Sequence, residues 1–478
     1  MNVHPKNLPI TRRIFCNRTL NLRSIQAIGY DMDYTLVHYA VDEWEGRAWE
    51  HIRAGLREKN WPIDKLKFDP SLVTRGLVID TELGNIVKAN RFGYVKQAMH
   101  GTHRMDFGEL RRAYARTLVD LSEPRWVFLN TLFSISEACM YAQLVDLLDS
   151  QDLPFALGYS GLYGAVRSAL DRAHIEGELK NEIMADPARF VDLDPETALT
   201  LLDQKEAGKK VLLITNSEWE YTRFMMEYAI DPFLPEGMKW QELFSLIIVS
   251  ARKPAFFQND TPIFEVVNQE GLLKPVVGTI KEGGIYLGGH ASQVERCLGL
   301  DGEQILYVGD HIYGDVHVSK SVLRWRTALV LRELEDEMVA NSHATENNKK
   351  IAALMAQKEE LEHEFSDLRV KLQRKQKQYG PQPEGDAEGM KARMATLRAE
   401  LQALDGQIGP LVADDGSEFN PFWGYLMRAG NDKSNLTRQT ERYADIYMSR
   451  VSNLLHYTPF MYFRSPRGSL PHDLEETP

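Results

Sequence analysis

The sequence predicts an α/β fold: a parallel sheet flanked by helices, with an inserted, mainly helical cap and a helical hairpin. Three observations predict it. Four short β-rich apolar runs each end in polar residues: "IQAIGYDMDYT", "KKVLLITNSEWEYT", "LFSLIIVSARKPAFF" and "QILYVGDHIYGDV". A fifth, "RTALVL", begins at Arg326. Continuous apolar runs suit strands buried on both faces. Helical stretches such as "SEWEYTRFMMEYAI" and "ASQVERCLGL" lie between them, as parallel crossovers require. The other two observations are a long gap after the first run and a change of composition after residue 346.

That gap, from about Tyr39 to Lys209, is too long for one crossover. It holds "TRGLVIDTELGNIVKANRFGYVKQAMHG", in which Gly84-Asn85 and Arg91-Phe92-Gly93 read as turns of a β-meander. Helical segments follow, among them "PRWVFLNTLFSISEACMYAQLVDLLDS" and "GLYGAVRSALDRAHIEGELKNEIM", and are read as a cap over the site. From about Glu346 to Ile408 the chain turns to Ala, Glu, Lys, Gln and Leu. Ile351, Leu354, Leu361, Phe365, Leu368 and Leu372 fall on three- and four-residue steps, with Lys358 in the missing one. Met390, Met394, Leu397, Leu401, Leu404 and Ile408 repeat the pattern beyond a Pro/Gly break. This reads as an antiparallel helical hairpin, a coiled coil. The expected division is core 22–100, cap 101–190, core 191–335, hairpin 336–410 and a C-terminal segment 411–478 that packs back on the core.

Composition narrows the function. The chain has 478 residues, 43% hydrophobic and 10% aromatic, enough for two or three domains with real cores. A net charge of −12 disfavours a nucleic-acid binder. Cys16, Cys139 and Cys297 are too few and too scattered for a disulfide framework or a zinc site, and fit a reducing compartment. No stretch approaches the roughly 20 apolar residues of a membrane span. The N-terminus has no signal-peptide pattern, so the cytoplasm is the default.

In open α/β sheets the ligand crevice lies outside the carboxyl ends of the strands. The polar tips of the four runs should therefore meet. They supply Asp31 and Asp33; Thr215, Asn216 and Ser217; Lys253; and Asp310 and Asp315. Buried carboxylates need a cation, and an oxygen-rich set suits Mg²⁺. A carboxylate nucleophile, a neighbouring acid, hydroxyl and amide donors, one cation and a metal-binding pair are what phosphoryl transfer to an aspartate requires. Each element alone is weak. A "DxD" is usually a surface pair, "TNS" a helix cap, "KP" a turn. Four strand-tip matches in one order are rare by chance.

That order, Asp-x-Asp-x-Thr, strand-Thr, Lys-Pro, Gly-Asp-x-x-x-x-Asp, resembles the haloacid dehalogenase superfamily, whose core is a Rossmann-like parallel sheet. The wording of "GYDMDYTL", "TRGLVID", "LNTLF", "TNSEWEYT", "ARKPAFF", "YVGDHIYGD" and "RYADIY" is similar to the cytosolic purine 5'-nucleotidase family, which prefers IMP and GMP. The resemblance implies Mg²⁺-dependent hydrolysis of purine nucleoside 5'-monophosphates through an aspartyl-phosphate, with phosphotransfer as a side activity. It makes Asp31 the nucleophile and Asp33 the acid and base. It places Mg²⁺ on the Asp31 side chain, the Asp33 carbonyl and Asp310, with Asp315 close by. Thr215, Asn216, Ser217 and Lys253 would hold the phosphoryl oxygens. Phe133 would stack on the purine, and Arg167, Asp171, His174 and Lys180 would contact base and ribose. It also implies a homo-oligomer; the acidic charge and the lack of a long apolar stretch speak against nucleic acid and membrane as partners.

Departures from the pattern matter. Ser134 and Ile175 stand where mammalian members have asparagine and tyrosine. Phe128, Asn130, Tyr313, Gln439, Arg442 and Tyr443 match an effector-nucleotide site, but Asp120 and Ser321 replace two cations there. Loss of those charges predicts weakened effector binding. Two other readings stand beside this one: a phosphatase of the same fold acting on another phosphomonoester, and a non-catalytic interaction protein that uses the hairpin as an arm.

Overall fold

The computed structural model describes residues 7–153, 157–414 and 416–468, without the side chains of 174–176, 413 and 414. The chain divides into two compact units, Met1–Glu335 with Leu426–Pro478, and Asp336–Tyr425.

In chain order, the first unit contains strands β1 (Phe15–Cys16) and β2 (Ala27–Tyr30), helix α1 (Val41–Arg57), and a meander of β3 (Val78–Asp80), β4 (Asn85–Ala89), β5 (Val95–His100), β6 (His103–Arg104) and β7 (Trp126–Phe128). Helices α2 (Ile135–Asp149) and α3 (Gly158–Glu176) follow. Next come β8 (Lys210–Ile214), β9 (Leu246–Val249), β10 (Ile263–Val266), β11 (Leu273–Pro275), β12 (Ile285–Gly288), β13 (Ile305–Gly309), β14 (Arg326–Val330) and, after the second unit, β15 (Ile446–Met448).

Ten strands form one sheet in the order β1-β15-β14-β13-β2-β8-β9-β12-β10-β11. The seven from β15 to β12 run parallel, and only the edges are antiparallel. The five apolar runs are five of those seven. β2 is buried throughout because it lies between β13 and β8 with layers on both faces. After β2 the chain builds outward through β8 and β9, then crosses to β13 and β14 on the other side. The β2/β13 boundary is thus a topological switch point, where the crevice at the strand ends opens. The α/β expectation, with its parallel core, holds.

The meander is a separate five-stranded sheet, β6-β5-β4-β3-β7. Gly84 and Gly93 adopt left-handed φ of 70° and 89° at its turns, which an L side chain resists. Residues 101–190 are not helical throughout, since β7 returns to pair with β3. The sequence reading missed it because "RWVFLN" runs unbroken into the apolar α2 segment.

The second unit holds two long helices, α4 (Thr345–Lys377) and α5 (Ala387–Asp414). Met390, Leu397, Leu404 and Ile408 are buried. Ion pairs Lys358–Asp405 (2.6 Å) and Arg393–Glu364 (2.7 Å) fix an antiparallel register. Lys358, the polar interruption of the apolar series, thus has a carboxylate partner on the opposite helix. No described helix is long and apolar enough to cross a membrane.

Candidate active site

The backbone ladder carries the strand tips to one place. Asp31 N donates to Val308 O (2.9 Å) and Thr215 N to Ile248 O (2.9 Å), so both tips continue the sheet register. Two glycines make the tips compact. A Cβ on Gly29 would lie 2.8 Å from the Tyr307 ring, and one on Gly309 would collide with the Asp315 carboxylate. The Tyr307 ring therefore crosses Gly29 and sets its hydroxyl between Ile214 O (2.8 Å) and Lys253 Nζ (3.0 Å).

Lys253 Nζ lies 2.8 Å from Asp31 Oδ1 and 2.8 Å from Asp315 Oδ1. Burial pulls this ammonium down, but the two carboxylates outweigh it and hold it well above its ordinary value. The amide of Asn216 clamps the lysine's main chain: its Nδ2 donates to Lys253 O (3.1 Å), and its Oδ1 accepts from Lys253 N (2.6 Å). Oxygens of Asp31, Asp310 and Asp315 all lie within 4.8 Å of one another. Burial pushes Asp31 up to about 6, with Lys253 opposing, and Asp310 up to about 8, with Arg75 opposing. Asp315 Oδ1, although beside Lys253, receives no directed hydrogen bond. Three crowded, buried, oxygen-only ligands fit a hard divalent cation such as Mg²⁺.

The side chain of Asp33 turns away from this cluster. Its Oδ2 accepts from Ser217 Oγ (2.7 Å) and its Oδ1 from the Tyr39 hydroxyl, which in turn receives a hydrogen bond from Tyr221 (3.1 Å). Burial raises the Asp33 carboxyl, with Lys180 opposing, as suits a proton donor. Thr215 is fully buried and its Oγ accepts from Ser217 N (3.1 Å).

Asp33, Asn216, Ser217 and Lys180 open onto a cleft of about 530 Å³ that Phe133 and Arg167 also line. The Phe133 ring is held edge-on by Tyr34 (4.6 Å) and Trp44 (5.4 Å). Lys180 pairs with Glu218 and lies 3.5 Å from Ser217 Oγ. Arg167 pairs with Glu137 (2.9 Å) and Asp171 (3.2 Å). Asp171 is not in the cleft wall; it reaches the cleft only through Arg167. The His174 side chain lies outside the described residues. Sequence reasoning missed Trp44, Glu137, Tyr163 and His311, which line the same cleft. Glu137 follows the "LNTLF" motif by one helical turn, but its burial is invisible in "SEACMY". Beside the cleft, Phe128, Tyr313, His317 and Tyr443 form an aromatic ladder with centroids 6.1, 5.6 and 4.1 Å apart. Asp120 bonds Ser122, and Ser321 bonds His317 O, so neither brings a cation to it.

The sequence model of the 5' nucleotidase family matches residues 14–475. The chain belongs to the 5' nucleotidase family. As a member, it is a phosphomonoester hydrolase. This 5' nucleotidase is 27% identical over 479 residues to human 5'-nucleotidase domain-containing protein 2, covering 96% of this chain and 85% of the relative. A 5'-nucleotidase domain-containing protein of Dictyostelium discoideum is 25% identical, covering 97% and 75%. A phosphoglycolate phosphatase from Haemophilus somnus, known as predicted, aligns at 14% identity and a TM-score of 0.29, covering 64% of this chain and 85% of that one. An archaeal beta-phosphoglucomutase from Pyrococcus aligns at 11% and 0.28.

Proposed function

We propose that this 5' nucleotidase hydrolyses purine nucleoside 5'-monophosphates of the IMP and GMP type, with Mg²⁺, through an aspartyl-phosphate on Asp31. One observation carries the reading: the acid pair, the strand-tip donors and an aromatic-walled cleft of about 530 Å³ share residues Asp33, Asn216 and Ser217. That volume lies in the range of small-ligand sites. A phosphate at the strand tips would leave its nucleoside facing Phe133.

The residues divide the work. The Asp31 carboxylate attacks phosphorus, and the bond to the nucleoside O5' breaks as Asp33 gives it a proton. Asp33 then takes a proton from water, which cleaves the aspartyl-phosphate and returns Asp31. Lys253, Thr215, Ser217 and the remaining Asn216 amide hydrogen stabilise the equatorial oxygens. Asp31, Asp310 and Asp315, with the Asp33 carbonyl, would hold Mg²⁺, which supplies charge neutralisation for phosphate and acids. Phe133 stacks on the base; Arg167, with Asp171 and His174 on its helix, and Lys180 read its edge and the ribose. A nucleoside hydroxyl in place of water would make the same enzyme a phosphotransferase. The resemblance supports a homo-oligomer, the composition a cytoplasmic protein without nucleic-acid or membrane partners, and Asp120 and Ser321 a weakened nucleotide activation.

A substrate panel tests the reading. Steady-state rates on IMP, GMP, AMP, pyrimidine monophosphates and sugar phosphates should favour IMP or GMP. Equal rates on sugar phosphates would move the assignment to another phosphomonoester, a reading that Ser134 and Ile175 leave open. No turnover on any of them would favour an interaction protein.

A further inference from the structure

Arg75 of "TRGLVID" and Thr131 of "LNTLF" have no part in the reaction as described. The fold brings both onto Asp310. Thr131 of the second motif is buried, and its hydroxyl donates to Asp310 Oδ2 at 2.9 Å. Arg75 of the first is 1% exposed. Its guanidinium donates to three main-chain oxygens, those of Asp310, Asn130 (3.0 Å) and Val330 (3.4 Å), with Glu333 3.6 Å away. The motifs are also tied to each other: Gly76 N donates to Leu129 O (2.7 Å) and Leu129 N to Leu77 O (2.9 Å). These bonds extend the β3/β7 pairing, so the meander delivers Thr131 and Arg75 together.

The two contacts act on different parts of one residue. Arg75 fixes the main chain of Asp310 where β13 ends. Thr131 occupies one carboxylate oxygen and so fixes the rotation of the side chain, leaving the other oxygen for the cluster with Asp31 and Asp315. Partners of this kind orient a carboxylate ligand before a cation arrives, and their loss weakens metal binding.

We infer that Thr131 and Arg75 are positioning residues that clamp Asp310 and thereby set the affinity for the divalent cation, giving the meander a role in the reaction. The inference rests on Asp31, Asp310 and Asp315 being the cation site. Calorimetric titration of Mg²⁺ into the full chain, without nucleotide, tests it. Thr131→Val keeps the shape but loses the hydroxyl; its Mg²⁺ dissociation constant should rise about tenfold or more. Thr131→Ser restores the hydroxyl and should bring binding back to near the wild-type value. A loss through general destabilisation would not be rescued by the smaller serine. Arg75→Lys keeps the charge without the planar fork and should also weaken binding. Wild-type affinity in Thr131→Val, while Asp310→Asn loses Mg²⁺, would overturn the clamp and leave the cation site standing. Wild-type affinity in Asp310→Asn as well would overturn both.

Discussion

Lys253 carries the charge balance of the site. It is buried between Asp31 and Asp315 at 2.8 Å from each, and among the described residues no other lysine pairs with both acids. Lys253→Met should lower kcat/KM for IMP by about 10²-fold or more, because a preorganised cation is lost where charge develops. In the proposed reaction Phe133 acts on a different part of the substrate. Phe133→Ala should raise KM for IMP by about tenfold, the scale of one base–aromatic stack, and leave turnover of a small phosphate ester without a base nearly unchanged. Equal losses on both substrates would place Phe133 outside base recognition. Asp31, Asp33, Lys253, Asp310 and Asp315 were legible in the sequence because each ends an apolar run, and strand ends gather at one edge of a parallel sheet. Arg75 and Thr131 were not. A single arginine in a loop looks the same whether it reaches water or is buried against three carbonyls.

At the element scale, β15 closes the parallel sheet from the far end of the chain, and Asp445 anchors it. Its carboxylate takes Arg18 (2.7 Å), Lys320 (2.7 Å) and Arg326 (2.9 Å), joining the N-terminal segment, the helix after Asp315 and β14. Burial alone would raise this acid; hydrogen bonds from Arg326 and Lys320 outweigh it and hold it at about 2. A folded-state value below the ordinary 3.8 means stability that is present above pH 3.8 and lost as pH falls toward 2. The shift corresponds to about 2 kcal/mol. Asp445→Asn should therefore unfold at lower urea than wild type at pH 6, and the difference should shrink by pH 3. A difference that grows on acidification would contradict the assignment. The five strands at the sheet centre were legible from uninterrupted apolar runs. Edge strands β1, β10 and β11 were not: β1 and β11 are short and half-exposed or exposed, and β10 buries only its two ends. Nor was β15, whose "ADIYMS" carries an acid and alternates.

In the whole molecule, every residue assigned to the reaction lies in the Met1–Glu335 and Leu426–Pro478 unit, and none in Asp336–Tyr425. The hairpin was legible from its repeat; its task was not, since exposed charged faces look alike in an arm and in an ornament. Its turn, between α4 and α5, is exposed and contains Gly380 and Gly385 at left-handed φ. Limited proteolysis should nick there first, and activity on IMP should survive the nick. Activity lost in step with cleavage would give the hairpin a part in catalysis. The central claim is that a carboxylate at the tip of β2 takes the phosphoryl group. The most direct test is turnover of IMP with Mg²⁺ by wild type and by Asp31→Asn, with folding checked by circular dichroism. The account predicts that the asparagine variant, unable to attack phosphorus, loses more than about 10³-fold in kcat. A folded Asp31→Asn protein with wild-type turnover would contradict it.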